Sequence, residues 1–228
     1  MSHFSLKNKQ AVLFDMDGVL YDSMPGHAMA WSMAMREFGM NMTHQDVYMN
    51  EGSTGVHTIG LISRRERGYN PTEQEIKTIY ARKAEIFCSY PSPEIMPGAL
   101  DLLKKVKADG MSILIVTGSG QKILINKALK DFKDYINRDY MITAFDVKRG
   151  KPAPDPYLMG LQRCGISAEK SVVIENAPMG VLSAKSAGID TIAVNTGPLD
   201  DRTLLDQGAD MIFHSMKELT DVWDSLYI

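Results

Sequence analysis

Ala11-Val12-Leu13-Phe14-Asp15-Met16-Asp17-Gly18-Val19 is the stretch on which the reading of this chain turns. Four consecutive apolar residues that stop at turn chemistry fit a strand buried on both faces, as in a parallel sheet covered by helices on each side. The two carboxylates then fall at the C-terminal end of that strand, where open α/β sheets hold their ligands. Residues one and three of such a turn can both face the crevice. They repel each other unless a cation or a proton is shared, and Gly18 lets the chain turn sharply behind them. A D-x-D in a random context is a helix cap or a loop pair; the apolar run before it and the glycine after it favour a site.

Outward from this stretch, the same texture recurs after Pro97. Strand candidates Ser112–Val116, Met141–Phe145, Val172–Ile174, Thr191–Val194 and Met211–Phe213 are separated by segments with helical spacing. That alternation predicts an α/β fold, a doubly wound parallel sheet. From about Ser23 to Met96 the signals are helical instead. Pro25 starts a helix through His27, Trp31 and Phe38, with Gly39 as its stop. Thr43 with Asp46, and Thr72 with Glu75, have capping-box spacing for two further helices, the second running from Glu73 towards Phe87. The organisation read from this is 1–21 as the first part of a core, 22–96 as an inserted helical cap domain and 97–228 as the rest of the core. The 16 methionines, clustered at Met29, Met33, Met35, Met40 and Met42, read as flexible fillers of the small helical core.

Composition narrows the function classes. At 228 residues the chain suits one large domain with an appendage. Lys and Arg number 25 against 28 Asp and Glu, a net charge of −3, so there is no basic excess for a nucleic-acid backbone or an anionic membrane surface. No run approaches the roughly 20 apolar residues of a membrane span. Cys88 and Cys164 lie far apart and outside any C-x-x-C, and read as inert fillers in a reducing compartment. The first ten residues have no apolar h-region, so the expectation is a polar lead-in to a cytoplasmic protein. Neither nucleic acid, membrane nor protein partner is implied.

Three other strand ends carry chemistry. Thr117-Gly118-Ser119-Gly120 follows the second strand and leads into a helix from Gln121, which exposes backbone N–H groups and a positive helix end to an anion. Gly150-Lys151-Pro152-Ala153-Pro154-Asp155-Pro156 stiffens the backbone around one lysine, either solvated or placed to hold an anionic oxygen. Glu175-Asn176-Ala177-Pro178-Met179-Gly180 ends another apolar strand and offers hard oxygen ligands of the kind that suit magnesium.

The order D-x-D-G, T-G-S, K-P and E-N, each at a strand end, resembles the haloacid-dehalogenase phosphotransferase superfamily over nearly the whole chain. The resemblance implies that Asp15 is the nucleophile taking the phosphoryl group and Asp17 the general acid and base. It implies that Thr117, with Gly118 and Ser119, and Lys151 bind the transferring phosphate of a small phosphorylated substrate. Asp15, the backbone carbonyl of Asp17, and Glu175 with Asn176 would hold Mg2+. The insertion point of the helical block, and Gly180 to Gly188 with Ala184 and Ala187, resemble the β-phosphoglucomutase-like branch.

Two departures bear on the substrate. The second residue of the fourth motif is Asn176 where acidic residues are common, leaving an amide oxygen as ligand. β-Phosphoglucomutases carry a lysine before a glycine in the cap and an arginine three residues after it; this chain has Glu51-Gly52-Ser53-Thr54-Gly55 and lacks both positive groups. Tyr48-Met49-Asn50-Glu51-Gly52 together with Glu175-Asn176-Ala177-Pro178 is more similar to bacterial HAD-type inorganic pyrophosphatases. That likeness implies that Glu51 reaches the core metal from the cap and that Lys83, on the last cap helix, meets the distal phosphate. Bland readings stand beside these, a solvated loop residue for Glu51 and an exposed helix lysine for Lys83. His27 either assists substrate or packs against the turn of Trp31. Arg64, Arg65 and Arg67 read as a solvated helix face, and His3, His44, His57 and His214 have no partner motif.

The expected activity is a magnesium-dependent phosphohydrolase, most specifically an inorganic pyrophosphatase, with β-phosphoglucomutase or a small sugar-phosphate phosphatase as the alternative. A phosphoacceptor signalling domain shares the acidic pair, hydroxyl and lysine. It is shorter, places its acceptor after a later strand and has no cap.

Overall fold

The computed structural model describes residues 4–227; His3 lies outside them. Their elements run β1 (Ala11–Phe14), α1 (Met24–Glu37), α2 (His44–Met49), α3 (Gly55–Arg67), α4 (Glu73–Ser89), α5 (Ala99–Ala108), β2 (Ser112–Val116), α6 (Lys122–Asp131), β3 (Met141–Ile142), α7 (Asp155–Cys164), β4 (Ser171–Glu175), α8 (Pro178–Ser186), β5 (Asp190–Val194), α9 (Asp201–Leu205), β6 (Met211–Phe213) and α10 (Met216–Val222). The strands form one parallel sheet in the order β3-β2-β1-β4-β5-β6.

Alternation along β1 explains why the strand reads as continuously apolar. Val12 and Phe14 enter the core layer shared with Leu102, Leu103 and Trp223, whereas Ala11 and Leu13 enter the opposite layer with Tyr157 and Leu161. Burying both faces removes the polar positions that a half-exposed strand would show. Phe14 pairs in register with Ile115 of β2 and Ile174 of β4. The ends of these three strands are therefore level, which brings Asp15, Thr117 and Glu175 to one edge of the sheet.

The third expected strand, Met141–Phe145, stops at Ile142. Thr143 turns the chain, its N–H and its hydroxyl both donating to Asp146 Oδ2 at 2.8 and 2.6 Å, and Phe145 emerges 62% exposed.

Helices α1 to α4 gather around a core of their own, with Met24, Trp31, Met35, Met40, Met42, Ile59, Ile62 and Ile79. Of the clustered methionines, Met35, Met40 and Met42 fill it and Met29 and Met33 face outward. Both capping boxes form, Thr43 with Asp46 and Thr72 with Glu75. The helix after Thr43 is short, however. It ends at Asn50, and a second begins at Gly55 under a cap from Thr54, so residues 51–53 form a loop at the rim of the sheet. The connections to and from these helices run side by side, with Asp22 N–H donating to Glu94 O and Met96 N–H to Leu20 O. Cys88 lies exposed on α4 rather than filling a core. No helix among the described residues is long and apolar enough to cross a membrane.

Candidate active site

Asp15 is 1% exposed and continues the β1–β4 ladder, its N–H donating to Ile174 O at 2.9 Å. Its Oδ1 accepts from Lys151 Nζ at 2.5 Å, and the same ammonium donates to Glu175 Oε1 at 2.6 Å and to the Val116 carbonyl at 2.8 Å. Lys151 is thus no solvated loop lysine; it is locked beneath Asp15 with all three protons used. Burial disfavours its charge, but Asp15 and Glu175 hold its pKa above the usual lysine range. The Asp15 carboxyl is pushed up to about 8 by burial, with Glu175 and Asp17 adding to the push and Lys151 opposing it.

Glu175 takes a different place from that of a metal ligand. Oε1 accepts from Lys151 and, at 2.7 Å, from the Tyr157 hydroxyl; Oε2 accepts from the N–H groups of Asn176 and Ala177 at 3.0 and 3.2 Å. A carboxylate so fully engaged positions Lys151 and has no oxygen to spare for a cation. Its neighbour is the opposite case. Asn176 Nδ2 donates to Glu51 Oε1 at 2.9 Å while Asn176 Oδ1 is buried without a partner.

Asp17 is held by Ser23, whose hydroxyl donates at 2.6 Å, and by His27 Nε2 at 2.9 Å. Ser23 is the N-cap residue of α1, yet its side chain makes no cap bond because it serves Asp17 instead. Lys83 Nζ lies 2.7 Å from His27 Nδ1, and the imidazole stacks on Phe87 at 4.2 Å between centroids. Burial and Lys83 push His27 down against the pull of Asp17, so the ring is neutral, accepts at Nδ1 and donates from Nε2. Burial alone would raise Asp17, but His27 and Ser23 outweigh it and hold the group below the ordinary carboxylate range. Lys83 is 3% exposed, and burial lowers its pKa to about 7 against the attraction of Asp17.

The cap loop closes over this cluster. Glu51 is 8% exposed; burial drives its pKa well up, and Asp15, Asp17 and Glu175 add to the rise against the Asn176 hydrogen bond. Gly18, at φ +81°, is required beneath it, since a Cβ there would come within 1.9 Å of Asn176 Nδ2. At Gly118 a Cβ would meet the Gly52 carbonyl at 2.1 Å, so the Thr117–Gly120 turn admits the cap backbone only because it carries no side chain there. Ser53 bridges to Lys151 along the backbone. Asp15, Asp17, His27, Glu51, Lys83, Thr117, Gly118 and Ser119 all line one cavity of about 60 Å³. Lys151, Glu175 and Asn176 stand outside its lining.

Among the described residues no three His, Cys, Asp or Glu side chains form a metal-holding group. Of the expected set, Glu175 is engaged by Lys151, Tyr157 and two backbone N–H groups, while Asp15, Asp17 and Glu51 line one cavity and Asn176 bonds to Glu51. The bonds of Ser23 and His27 engage the Asp17 side chain and not the backbone carbonyl expected as ligand. Ser23 and Tyr157 were not picked out from the sequence. Ser23 carried a local signal, an N-cap position six residues after Asp17; Tyr157 carried none. Arg65 pairs with Asp46 and Glu66, and Arg67 with Glu75, as a solvated face would.

The family model for haloacid dehalogenase-like hydrolases matches residues 12–194. The chain is a haloacid dehalogenase-like hydrolase. This hydrolase is 32% identical over 209 residues to hexitol phosphatase A of Escherichia coli (strain K12), covering 91% of this chain and 92% of that protein. It is 30% identical over 202 residues to a phosphorylated carbohydrates phosphatase of Thermotoga maritima, covering 88% and 92%. Among solved structures, "Putative beta-phosphoglucomutase from Bacteroides vulgatus" superposes with a TM-score of 0.93 at 50% identity, over 97% of this chain and 90% of the other. These two relatives, together with glycerol-1-phosphate phosphohydrolase 2 of Saccharomyces cerevisiae and fructose-1-phosphate phosphatase YqaB of Escherichia coli, are named for phosphorylated sugars or polyols, and none of the four is named a pyrophosphatase.

Proposed function

We propose that this hydrolase cleaves small phosphate esters in two steps through a phosphoryl group carried on Asp15. The observation behind the reading is Asp15 itself, gripped at one oxygen by buried Lys151 while lining a cavity shared with Asp17 and the Thr117–Ser119 turn. In the first step an Asp15 carboxylate oxygen bonds to phosphorus as the bond to the leaving oxygen breaks, and Asp17 gives that oxygen a proton. In the second, water attacks phosphorus, Asp17 takes its proton, and phosphate leaves Asp15. The lowered pKa of Asp17 keeps its carboxyl ionised, the form that can take a proton in the second step. A phosphate dianion drawn alongside raises that pKa, so the proton needed in the first step is taken up with the substrate. Gly118 and Ser119 line the cavity at the approach to α6 and offer donors to the equatorial oxygens.

The donor chemistry beside Asp15 fits a hard cation such as Mg2+, because the unpartnered Asn176 Oδ1 and the Asp15 carboxylate stand at neighbouring strand ends. Asp15, Asn176 and the Asp17 backbone carbonyl would hold it. Bound there it supplies positive charge against a carboxylate–phosphate repulsion of about 4 kcal/mol for unit charges at about 4 Å and an effective dielectric near 20.

For the substrate we infer a phosphorylated sugar or polyol, the chemistry for which the Escherichia coli and Thermotoga maritima relatives are named. Pyrophosphate is a second reading, favoured by the buried Glu51 carboxyl on Asn176 and by a cavity of about 60 Å³, which suits a compact leaving group. A mutase lacks support from the cap loop, where Glu51 to Gly55 carry no basic side chain.

The test is phosphate release across sugar phosphates, polyol phosphates, nucleotides and pyrophosphate, with a coupled assay for isomerisation of β-glucose 1-phosphate. Activity should vanish in excess chelator and return with magnesium. Asp15→Asn should lose at least about a hundredfold in kcat, a difference of roughly 2.7 kcal/mol. A smaller loss rejects the covalent step; the best kcat/KM within the panel decides the substrate class.

A further inference from the structure

Tyr80 separates the catalytic cavity from a larger space. This second hollow, about 700 Å³, opens between the start of α3, the side of α4 and the core loop from Ala144 to Ala153. Tyr80 and Gly55 line both hollows. The ring lies hard against Gly55, where a Cβ would fall 2.3 Å from Tyr80 Cδ2, and the hydroxyl accepts the Gly120 N–H at 3.2 Å. One side chain of the cap thereby reaches the end of the phosphate-binding turn and closes the passage.

The character of the groove is unlike that of the cavity. Val56 on the cap and Phe145 on the core are 63% and 62% exposed, and both face into it. Apolar side chains on opposite walls of a concavity are the lining that small-molecule sites use. Lys148 and Arg149 stand on its core side. Scale also distinguishes the two hollows. One water needs roughly 10–15 Å³ of such space. About 60 Å³ therefore takes a phosphoryl group with few further atoms, whereas the groove takes a complete organic moiety.

We propose that this groove receives the organic part of the substrate and that Tyr80 is the gate that limits its size. The occupant is an organic phosphate whose apolar face lies between Val56 and Phe145, with hydroxyl or anionic substituents towards Lys148 and Arg149. Continuity with the catalytic cavity through Tyr80 and Gly55 argues for it, since the phosphoryl group and its ester substituent must occupy adjoining spaces. The inference rests on the phosphohydrolase reading above and adds a specificity-determining residue to it.

The experiment compares kcat/KM for 4-nitrophenyl phosphate and acetyl phosphate, at saturating magnesium, in wild type, Tyr80→Ala, Tyr80→Leu and Tyr80→Phe. The ratio of two substrates within one preparation is independent of the folded fraction, so partial unfolding of a variant does not obscure it. The aryl-to-acetyl ratio should rise at least about tenfold in Tyr80→Ala, rise less in Tyr80→Leu and keep its wild-type value in Tyr80→Phe, which retains the ring. Adding Phe145→Asp to Tyr80→Ala should reverse most of the gain, because the apolar wall is lost. An unchanged ratio in Tyr80→Ala, or a gain that survives Phe145→Asp, overturns the gate or the groove respectively, while both substrates are still hydrolysed. If wild type hydrolyses neither these two nor any other organic phosphate, the phosphate-ester reading fails and the gate fails with it.

Discussion

Replacing Lys83 with methionine should change the slope of stability against pH more than its level. Lys83 sits 3% exposed among Trp31, Phe87 and His27, and its pKa falls from 10.5 to about 7. In the unfolded chain the amine keeps its ordinary value. Between those two values the unfolded state binds the extra proton, so stability rises with pH across the window and is lost as pH falls towards about 7. Each unit is worth at most about 1.4 kcal/mol, so from pH 7.5 to 9.5 the wild type should gain about 2 kcal/mol from this one group. Methionine has similar length and no charge. Its introduction deprives His27 Nδ1 of a partner, a cost of about 1–3 kcal/mol that does not depend on Lys83 titrating. Urea unfolding followed by tryptophan fluorescence at pH 7.5, 8.5 and 9.5 reads the effect, because titrations of groups that Lys83 does not touch cancel in the difference between the two proteins, and His27, which it does touch, is followed separately by its imidazole NMR signals. Wild type minus variant should grow by about 2 kcal/mol over this range. Parallel curves, diverging by less than about 0.5 kcal/mol, would show that the ammonium is solvated and that the buried Lys83–His27 contact does not persist in solution.

Gly180→Ala should cost about 1–3 kcal/mol of stability and most of the activity, because a Cβ there would lie 1.8 Å from Glu175 Oε1 and force the carboxylate off Lys151. A wild-type melting temperature together with wild-type phosphate release would refute the role given to Glu175. Glu51→Ala should lower kcat/KM on pyrophosphate at least about tenfold, roughly 1.4 kcal/mol, and lower it less on organic monoesters. Equal losses would remove Glu51 from specificity, and no loss would return it to an ordinary loop position.

Asp15, Thr117 and Glu175 were legible as a set because each ends an apolar run, and parallel strands of similar length bring such ends to one edge. The capping boxes at Thr43 and Thr72 were legible for a related reason: their partners lie three residues away. The third strand was overread because Met141 to Phe145 looks uniformly apolar, and the Thr143–Asp146 hydrogen bonds that end it compete with the ladder only once β3 is an edge strand.

What the sequence determined by itself is the alternation of strands and helices, the helical insertion and the four chemical motifs. These depend on burial periodicity and turn chemistry, both properties of near neighbours. Tertiary structure alone decided what each side chain does within the motifs. Lys151 reads from its motif as an anion-holding lysine, but only the fold places it between Asp15, 136 positions away, and Glu175, 24 away. Glu175 reads as a ligand and is the residue that holds that lysine; Lys83 reads as either a phosphate contact or an exposed helix lysine and is buried on His27. Such pairings are set by which strands adjoin and how the helices of the insertion settle on the sheet edge. A buried charge takes whichever partner that packing brings within about 3 Å, since leaving it unpaired costs several kcal/mol.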